Sequence, residues 1–318
     1  MDGLLIVDKP SGPTSHDVVS RVRRALRERR IGHTGTLDPM ASGVLPLVVG
    51  RATRLARFLN GDKTYEATIR LGFETDTADA QGRPTGRPHA GPWPGPEAVS
   101  QALAQFRGTF LQQPPAFSAK KIDGQRSYVL ARKASAGGTA AGLDAETPAA
   151  TLPLPPPVRV TAYALDLLGV EGHEVRLRVQ CSAGFYIRAL ATDLGRALGT
   201  GAHLTALRRT AAAGFDLALA VPLDRLEQKD GSRTPAEALI PMASMLAHLP
   251  AVQLTAEGVR LVGFGRSLGP AEASAGFARA EAEARRGVPA RLLAPSGDLV
   301  AVAEAGAPGL LHPSVVLL

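Results

Sequence analysis

The stretch Arg30-Ile31-Gly32-His33-Thr34-Gly35-Thr36-Leu37-Asp38-Pro39-Met40-Ala41-Ser42-Gly43-Val44-Leu45-Pro46 constrains this chain more than any other. It holds a single acid, Asp38, among residues that mainly dictate backbone shape. Gly32, Gly35 and Gly43 admit positive φ and the close approach of another molecule. Pro39 fixes its own φ and pushes Asp38 toward an extended conformation. No regular helix fits such a segment, so it reads as an ordered loop that presents Asp38, with His33 five residues earlier. Local chemistry leaves two readings open: a reactive carboxylate held out by the loop, or a structural turn in which Asp38 caps nearby backbone.

The flanking sequence predicts what carries the loop. Residues 3–7 read as a short buried strand and 8–13 as a turn-rich connection. Ser15 is a candidate helix N-cap, with Asp17 favourable in the first turn. Val18, Val22, Ala25 and Leu26 then form an apolar helical stripe. Arg21, Arg23, Arg24, Arg27, Arg29 and Arg30 cover the other sides against Glu28 alone. That suits a solvated helix or, the favoured reading, one that faces phosphates. Residues 44–49 are apolar and should be buried. Arg51, Arg54 and Arg57 recur every three residues, share one helix face and are expected to extend the basic surface.

Charge supports a polyanionic partner. Lys and Arg outnumber Asp and Glu by 36 to 29, a net charge of +7. Residues 1–60 hold ten basic and five acidic side chains, so most of the excess lies there. A nucleic acid is the simplest partner for such a surface. The single cysteine, Cys181, excludes an intramolecular disulfide and a Cys-based zinc site; it falls in the apolar phase of residues 175–181 and should be a buried thiol. Seven histidines are scattered without metal-ligand spacing, so no metal is expected. The start of the chain has no signal-peptide pattern, and no apolar run approaches the ~18 residues of a membrane span. The cytoplasm is the default expectation.

Farther along, residues 63–73 alternate cleanly, with Tyr65, Ala67, Ile69, Leu71 and Phe73 on one side and Thr64, Glu66, Thr68 and Arg70 on the other. By pattern alone Tyr65 is a core tyrosine. Residues 75–82 form a polar loop, where Asp76 and Asp79 suit capping. Residues 97–106 read as a helix with Val99, Leu103 and Phe106 inward. Residues 134–157 carry no basic or aromatic side chain and form a low-complexity insertion. Strands are expected at 158–168 and 174–181. A helix then turns Ile187, Leu190, Leu194 and Leu198 inward and ends at Gly199 and Gly201. Arg188 in its first turn opposes the helix dipole, which implies either a carboxylate partner or an exposed arginine. Near 245–252 the character shifts to short strand-like runs such as 299–303. The expected organisation is a large domain over 1–245 and a small β-rich one over 246–318; the Ala- and Glu-rich 269–287 departs from the β pattern.

Several separate motifs, in one order, resemble the TruB-type tRNA pseudouridine synthases. They are Gly3-Leu4-Leu5-Ile6-Val7-Asp8-Lys9-Pro10-Ser11-Gly12-Pro13-Thr14-Ser15-His16-Asp17, the Asp38 stretch, Lys63-Thr64-Tyr65, Thr75-Asp76-Thr77-Ala78-Asp79, Gly184-Phe185-Tyr186-Ile187-Arg188, Gly201-Ala202-His203-Leu204 and Leu207-Arg208-Arg209. The resemblance implies an α+β fold with a mixed, mainly antiparallel central sheet, flanking helices and a C-terminal PUA-like domain. It implies that Asp38 attacks uridine 55 in the TΨC stem-loop of tRNA, that Tyr65 and Tyr186 cradle the flipped base, and that the Leu207 backbone bonds its edge. His33 would support the opened loop, and Lys9 and Asp79 would belong to the substrate pocket. Arg188 would pair with Asp38 and keep it ionised. Arg21, Arg24 and Arg27 would meet the RNA backbone. No cofactor is implied, and a monomer is expected. This chain departs from the family at Phe117, where Tyr is usual, at Lys120, where an apolar residue is usual, and at Val158, where an Arg is often found and appears here shifted to Arg159. Tyr128 and Arg132 open the following helix as the family has it.

Two other functions use parts of the same sequence. A glycoside hydrolase normally needs two carboxylates at a set separation, and the central stretch offers one. A tRNA-binding or folding protein without catalysis would use the same basic face.

Overall fold

The structure is a computed structural model that describes residues 1–118, 154–227 and 236–318, with the backbone of the short strands Lys121–Ile122 and Gln125–Arg126. Lys120, Tyr128, Arg132 and nearly all of the 134–157 insertion lie outside the described residues. In chain order the elements are β1 (Gly3–Lys9), α1 (Ser15–Leu26), β2 (Ile31–His33), β3 (Ser42–Val49), a 3₁₀ helix (Gly50–Phe58) and β4 (Lys63–Leu71). Next come α2 (Pro96–Ala104), β5 (Gly108–Gln112), β6 (Val158–Glu171), β7 (Glu174–Cys181), α3 (Ile187–Ala197), β8 (Ala202–Ala212) and β9 (Val221–Pro222). The C-terminal elements are β10 (Ala251–Leu254), α4 (Ala256–Gly263), β11 (Ala273–Ala275), α5 (Phe277–Arg285), β12 (Ala290–Leu293), β13 (Leu299–Ala305) and β14 (Leu311–Val316).

The chain divides into two compact units: residues 1–39, 44–60 and 217–318 form the first, and 40–43 with 61–216 the second. In the first, β1 lies between β9 and β3, and β2 pairs antiparallel with β3, His33 opposite Leu47. The apolar run predicted over 44–49 is fully buried in β3. Helix α1 buries Val18, Val22 and Leu26 as its stripe requires. Its N-cap is Thr14 rather than Ser15: the Thr14 side chain accepts from the Asp17 N–H while Asp17 bonds back to the Thr14 N–H, a capping box. The C-terminal strands order as β11-β10-β12-β13-β14 over a core of Val252, Leu254, Val262, Leu292, Ala301 and Leu311. The Ala- and Glu-rich segment supplies α5, whose Ala280 and Ala284 face that core.

Arg51, Arg54 and Arg57 are exposed, as a basic surface requires, and also make contacts of their own. They lie on the 3₁₀ helix, whose three residues per turn place i, i+3 and i+6 in one row. Arg51 meets Asp2 at 2.9 Å and the Leu317 carbonyl at 2.6 Å, Arg54 donates to the Val316 carbonyl, and Arg57 reaches Glu304 and Ser314. The row grips the end of the chain.

In the second unit the sheet order is β8-β4-β7-β6-β5, and the first residues of β3 pair with β8 as Arg208 opposite Ser42 and Arg209 opposite Gly43. Strand β4 buries alternate residues as its pattern predicts, with Tyr65 opposite Val179 and Arg209. Cys181 is buried, and burial pushes its thiol up to about 12. Two register shifts, between Leu204 and Ala206 and between Arg209 and Ala211, bend β8 on either side of Leu207.

Candidate active site

In the first unit, the Asp38 loop leaves β2 at His33 and is pinned on both sides of the acid. Ser15, fully buried at the start of α1, donates through Oγ to the Leu37 carbonyl at 3.0 Å and accepts from the Leu37 N–H at 2.9 Å. Pro39 is held through its carbonyl, which accepts from the buried Lys9 ammonium at 3.2 Å and from the Gly12 N–H at 2.8 Å. Leu37 is buried and Asp38 half-buried, so the described anchors fall on the residues beside the acid. The function that sequence assigned to Ser15, a cap, falls to its neighbour; its actual partner lies 22 residues away. His33 is half-buried and meets His16 edge to face at 5.4 Å.

Of the three glycines, Gly35 and Gly43 adopt positive φ while Gly32 lies within β2, where the ladder keeps it extended. Gly43, in the second unit, has φ of +102°, and a Cβ there would stand 2.1 Å from the Arg209 carbonyl oxygen. Only glycine lets β3 approach β8 this closely.

The basic residues of α1 divide by partner. Arg21 holds Glu227 through two hydrogen bonds, which lowers the Glu227 carboxyl below its usual range. Arg23 donates to the Ile31 carbonyl at 2.7 Å. Arg24 and Arg27 are exposed, with Arg27 left-handed at the helix C-cap.

In the second unit, Arg188 is 5% exposed. Its guanidinium donates to the Thr77 carbonyl at 3.0 Å and the Phe117 carbonyl at 2.8 Å, and lies 3.8 Å from the Asp79 carboxylate. These acceptors offset the unfavourable position in the first turn of α3. The departure at Phe117 leaves this contact intact, because the backbone carries it. Asp79 is itself organised: its Oδ1 accepts from Thr77 Oγ1 at 2.6 Å and the Gln81 N–H at 3.0 Å, and its carbonyl accepts from Thr75. The loop docks on β8 through Ala80 N–H to the Leu204 carbonyl and Leu204 N–H to the Ala78 carbonyl. Ala78 pays for this with φ of +62°, an observed strain beside a buried acid.

Tyr65 is buried on β4, Leu207 is buried on β8, and Tyr186 is the half-buried residue that opens α3. Lys63, two residues before Tyr65, is held below its usual pKa by burial, reinforced by the charge of the fully buried Arg209. Gln112, which the sequence did not single out, is 1% exposed and binds the Tyr186 backbone twice: its Nε2 donates to the Tyr186 carbonyl at 3.0 Å, and its Oε1 accepts from the Tyr186 N–H at 2.8 Å. A cleft elsewhere in this unit, lined by Phe73, Glu74, Arg87, His89 and Thr200, contains none of the expected site residues. Among the described residues, no three His, Cys, Asp or Glu side chains are placed to share a metal ion, and no helix is long and apolar enough to cross a membrane.

Two family models match the chain. The TruB family pseudouridylate synthase N-terminal domain matches 23–142, and the tRNA pseudouridylate synthase B C-terminal domain matches 188–247. The tRNA pseudouridine synthase B of Solibacter usitatus is 42% identical over the full length of both chains. That of Aromatoleum aromaticum is 43% identical across 90% of this chain and 87% of its own. Among solved structures, a chain of an H/ACA RNP bound to a substrate RNA containing 2'-deoxyuridine matches 99% of this chain and 85% of its own, with 25% identity and a TM-score of 0.69. A chain of a Cbf5-Nop10-Gar1 complex matches to the same TM-score at 27% identity, over 99% of this chain and 85% of its own. Full-length similarity at this level, on a loop that pins the residues either side of Asp38, leads to one conclusion: the chain belongs to the TruB family of pseudouridylate synthases.

Proposed function

We infer that this chain isomerises uridine 55 in the TΨC stem-loop of tRNA to pseudouridine, with Asp38 as the reacting carboxylate. The observation that carries the reading is the Asp38 loop, in which Leu37 and Pro39 are fixed on either side of the acid by Ser15, Lys9 and Gly12. A backbone pinned on both sides of a carboxylate is what positioned nucleophilic or base chemistry requires.

The reaction breaks the bond from ribose C1′ to uracil N1 and forms one from C1′ to C5. The C5 proton leaves and N1 gains one, so the product is an isomer and the balance needs no oxidant, reductant or cofactor. Attack of the carboxylate on the ribose and removal of a ribose proton both start from ionised Asp38. The target base must leave its stack, which calls for aromatic surface and edge contacts. In this reading Tyr65 and Tyr186 supply the surface, the Leu207 backbone bonds the uracil edge, and His33 supports the opened RNA loop. Lys9 acts through the Pro39 carbonyl and Asp79 through the Arg188 guanidinium. Arg188 keeps its expected pairing with Asp38 as part of this proposal. Arg21, Arg24 and Arg27 lie on the helix assigned to the RNA backbone, which is read by shape and phosphates. Residues 1–245 are assigned to catalysis and 246–318 to a PUA-like RNA-binding domain, in a cytoplasmic monomer.

The test is incubation with an unmodified tRNA transcript, followed by position-specific detection of pseudouridine. Product at position 55, lost when that uridine is replaced by cytidine, supports the reading. Product at another position removes the assignment of 55, and tight binding without product leaves an RNA-binding protein.

A further inference from the structure

We propose that Gln112 is a positioning residue for the isomerisation, acting through the peptide of Tyr186. This rests on the function proposed above. Helix α3 has no side-chain cap at its own N-terminus: Tyr186 occupies that position with φ of −110° and ψ of 110°. Its carbonyl receives the first helical bond, from the Leu190 N–H at 3.1 Å. The Gln112 carboxamide completes the junction from a different element, the end of β5. It satisfies the Tyr186 N–H and adds a second donor to the Tyr186 carbonyl, and both bonds are good in length. At 1% exposure the carboxamide has no water to replace these partners.

The same stretch of chain touches α3 again two residues later. Phe117, five residues beyond Gln112, accepts from Arg188 through its carbonyl. Residues 112–117 therefore hold the start of α3 at two points that bracket Ile187, one through the Tyr186 peptide and one through the Arg188 guanidinium. These are the two side chains of α3 assigned to the base and the acid. Freeing the Tyr186 peptide lets both move, and displacement of about 1 Å at reacting groups costs on the order of a hundredfold in rate.

The carboxamide pattern itself can be tested, because it offers one donor and one acceptor in fixed positions. An ionised carboxylate accepts only, whereas a protonated carboxyl again offers one of each. Gln112→Glu therefore should lose single-turnover rate about 10- to 100-fold at pH 8 with saturating enzyme. Its rate relative to wild type should recover as pH falls toward 5.5, because burial raises the pKa of the introduced carboxyl. Gln112→Met fills similar volume with neither group and should show a comparable loss at every pH. Affinity for the tRNA transcript should stay within about threefold in both. Rates are taken per cooperatively folded molecule, so a variant that only loses folded protein counts against the inference. Variants within twofold of wild type, or a Gln112→Glu to wild-type ratio that is flat with pH, overturn it. Absence of pseudouridine in the wild-type reaction overturns the proposed function itself, whereas normal wild-type turnover with unaffected variants removes only the role of Gln112.

Discussion

The Asp38 loop and the start of α3 hold their key residues in opposite ways. At the loop the described clamps act on neighbours: Ser15 on Leu37, Lys9 and Gly12 on Pro39, with the acid itself half-buried. At α3 the side chain proposed to act is itself the clamped object, since Arg188 is buried with its guanidinium on two carbonyls and beside Asp79. The first arrangement fixes the backbone on both sides of the acid. In the second, the proposed function and stability share one group. The difference predicts how variants of each will fail.

Asp38→Asn should give the largest and cleanest effect. The near-isosteric amide leaves both clamps in place, so tRNA binding and melting temperature should match wild type while product formation disappears. Turnover at a tenth of the wild-type rate would mean that Asp38 is not the reacting group. Arg188→Ala should lose both rate and stability. Removing one partner of a buried ion pair costs about 3–5 kcal/mol. If about 3 kcal/mol of that falls on the reacting geometry, the saturated rate drops roughly a hundredfold, at about 1.4 kcal/mol per factor of ten. Arg188→Lys should recover only part, since an ammonium lacks the planar fork that reaches two carbonyls. A normal saturated rate with weakened binding would make Arg188 a phosphate contact and erase the contrast with the loop.

Ser15→Ala tests the loop clamp itself and should be smaller. It leaves the buried Leu37 N–H and carbonyl without the hydroxyl, at a cost of about 1–3 kcal/mol for each buried group left unmet. Melting temperature should fall, and the saturated rate should drop about tenfold with tRNA affinity unchanged. An unaltered rate would show that Lys9 and Gly12 alone hold Asp38.

The two regions were also unequally legible. Glycine and proline spell out the Asp38 loop locally, and two-residue alternation marks β4 from residues 63 to 71, because backbone geometry and one buried face are written in neighbouring residues. Gln112 and Tyr186 are 74 residues apart, and Arg188 and Thr77 111 apart. No local pattern ties such partners, so nothing in the sequence around Gln112 marks it. Ser15 was misread for a related reason: Thr14 and Ser15 are both good caps, and only the Leu37 peptide distinguishes them. Charge was legible in amount but not in use. Arg51, Arg54 and Arg57 are exposed as expected, but their contacts with Asp2, the carbonyls of Val316 and Leu317, and Glu304 have no local signal.

The same uncertainty of use gives the smallest prediction, on α1. Arg24 and Arg21 share a helix, yet Arg21 is engaged by Glu227 in two hydrogen bonds whereas Arg24 is exposed in the last turn. A cation that meets a phosphate releases about one counterion, so losing it lowers the salt slope of binding by about 1. Arg24→Ala should therefore weaken tRNA binding most at low salt, with the single-turnover rate at saturating enzyme intact. Arg21→Ala should do less, because part of its charge is already matched by a carboxylate. Glu227→Gln then becomes the decisive variant: it removes that match without removing the arginine, and should tighten binding and steepen the salt dependence. Affinity titrations at three salt concentrations on these three variants measure the effect. If Arg21→Ala and Arg24→Ala weaken binding equally and Glu227→Gln changes nothing, the ion pair does not limit Arg21, and the cations of α1 act as an undivided surface.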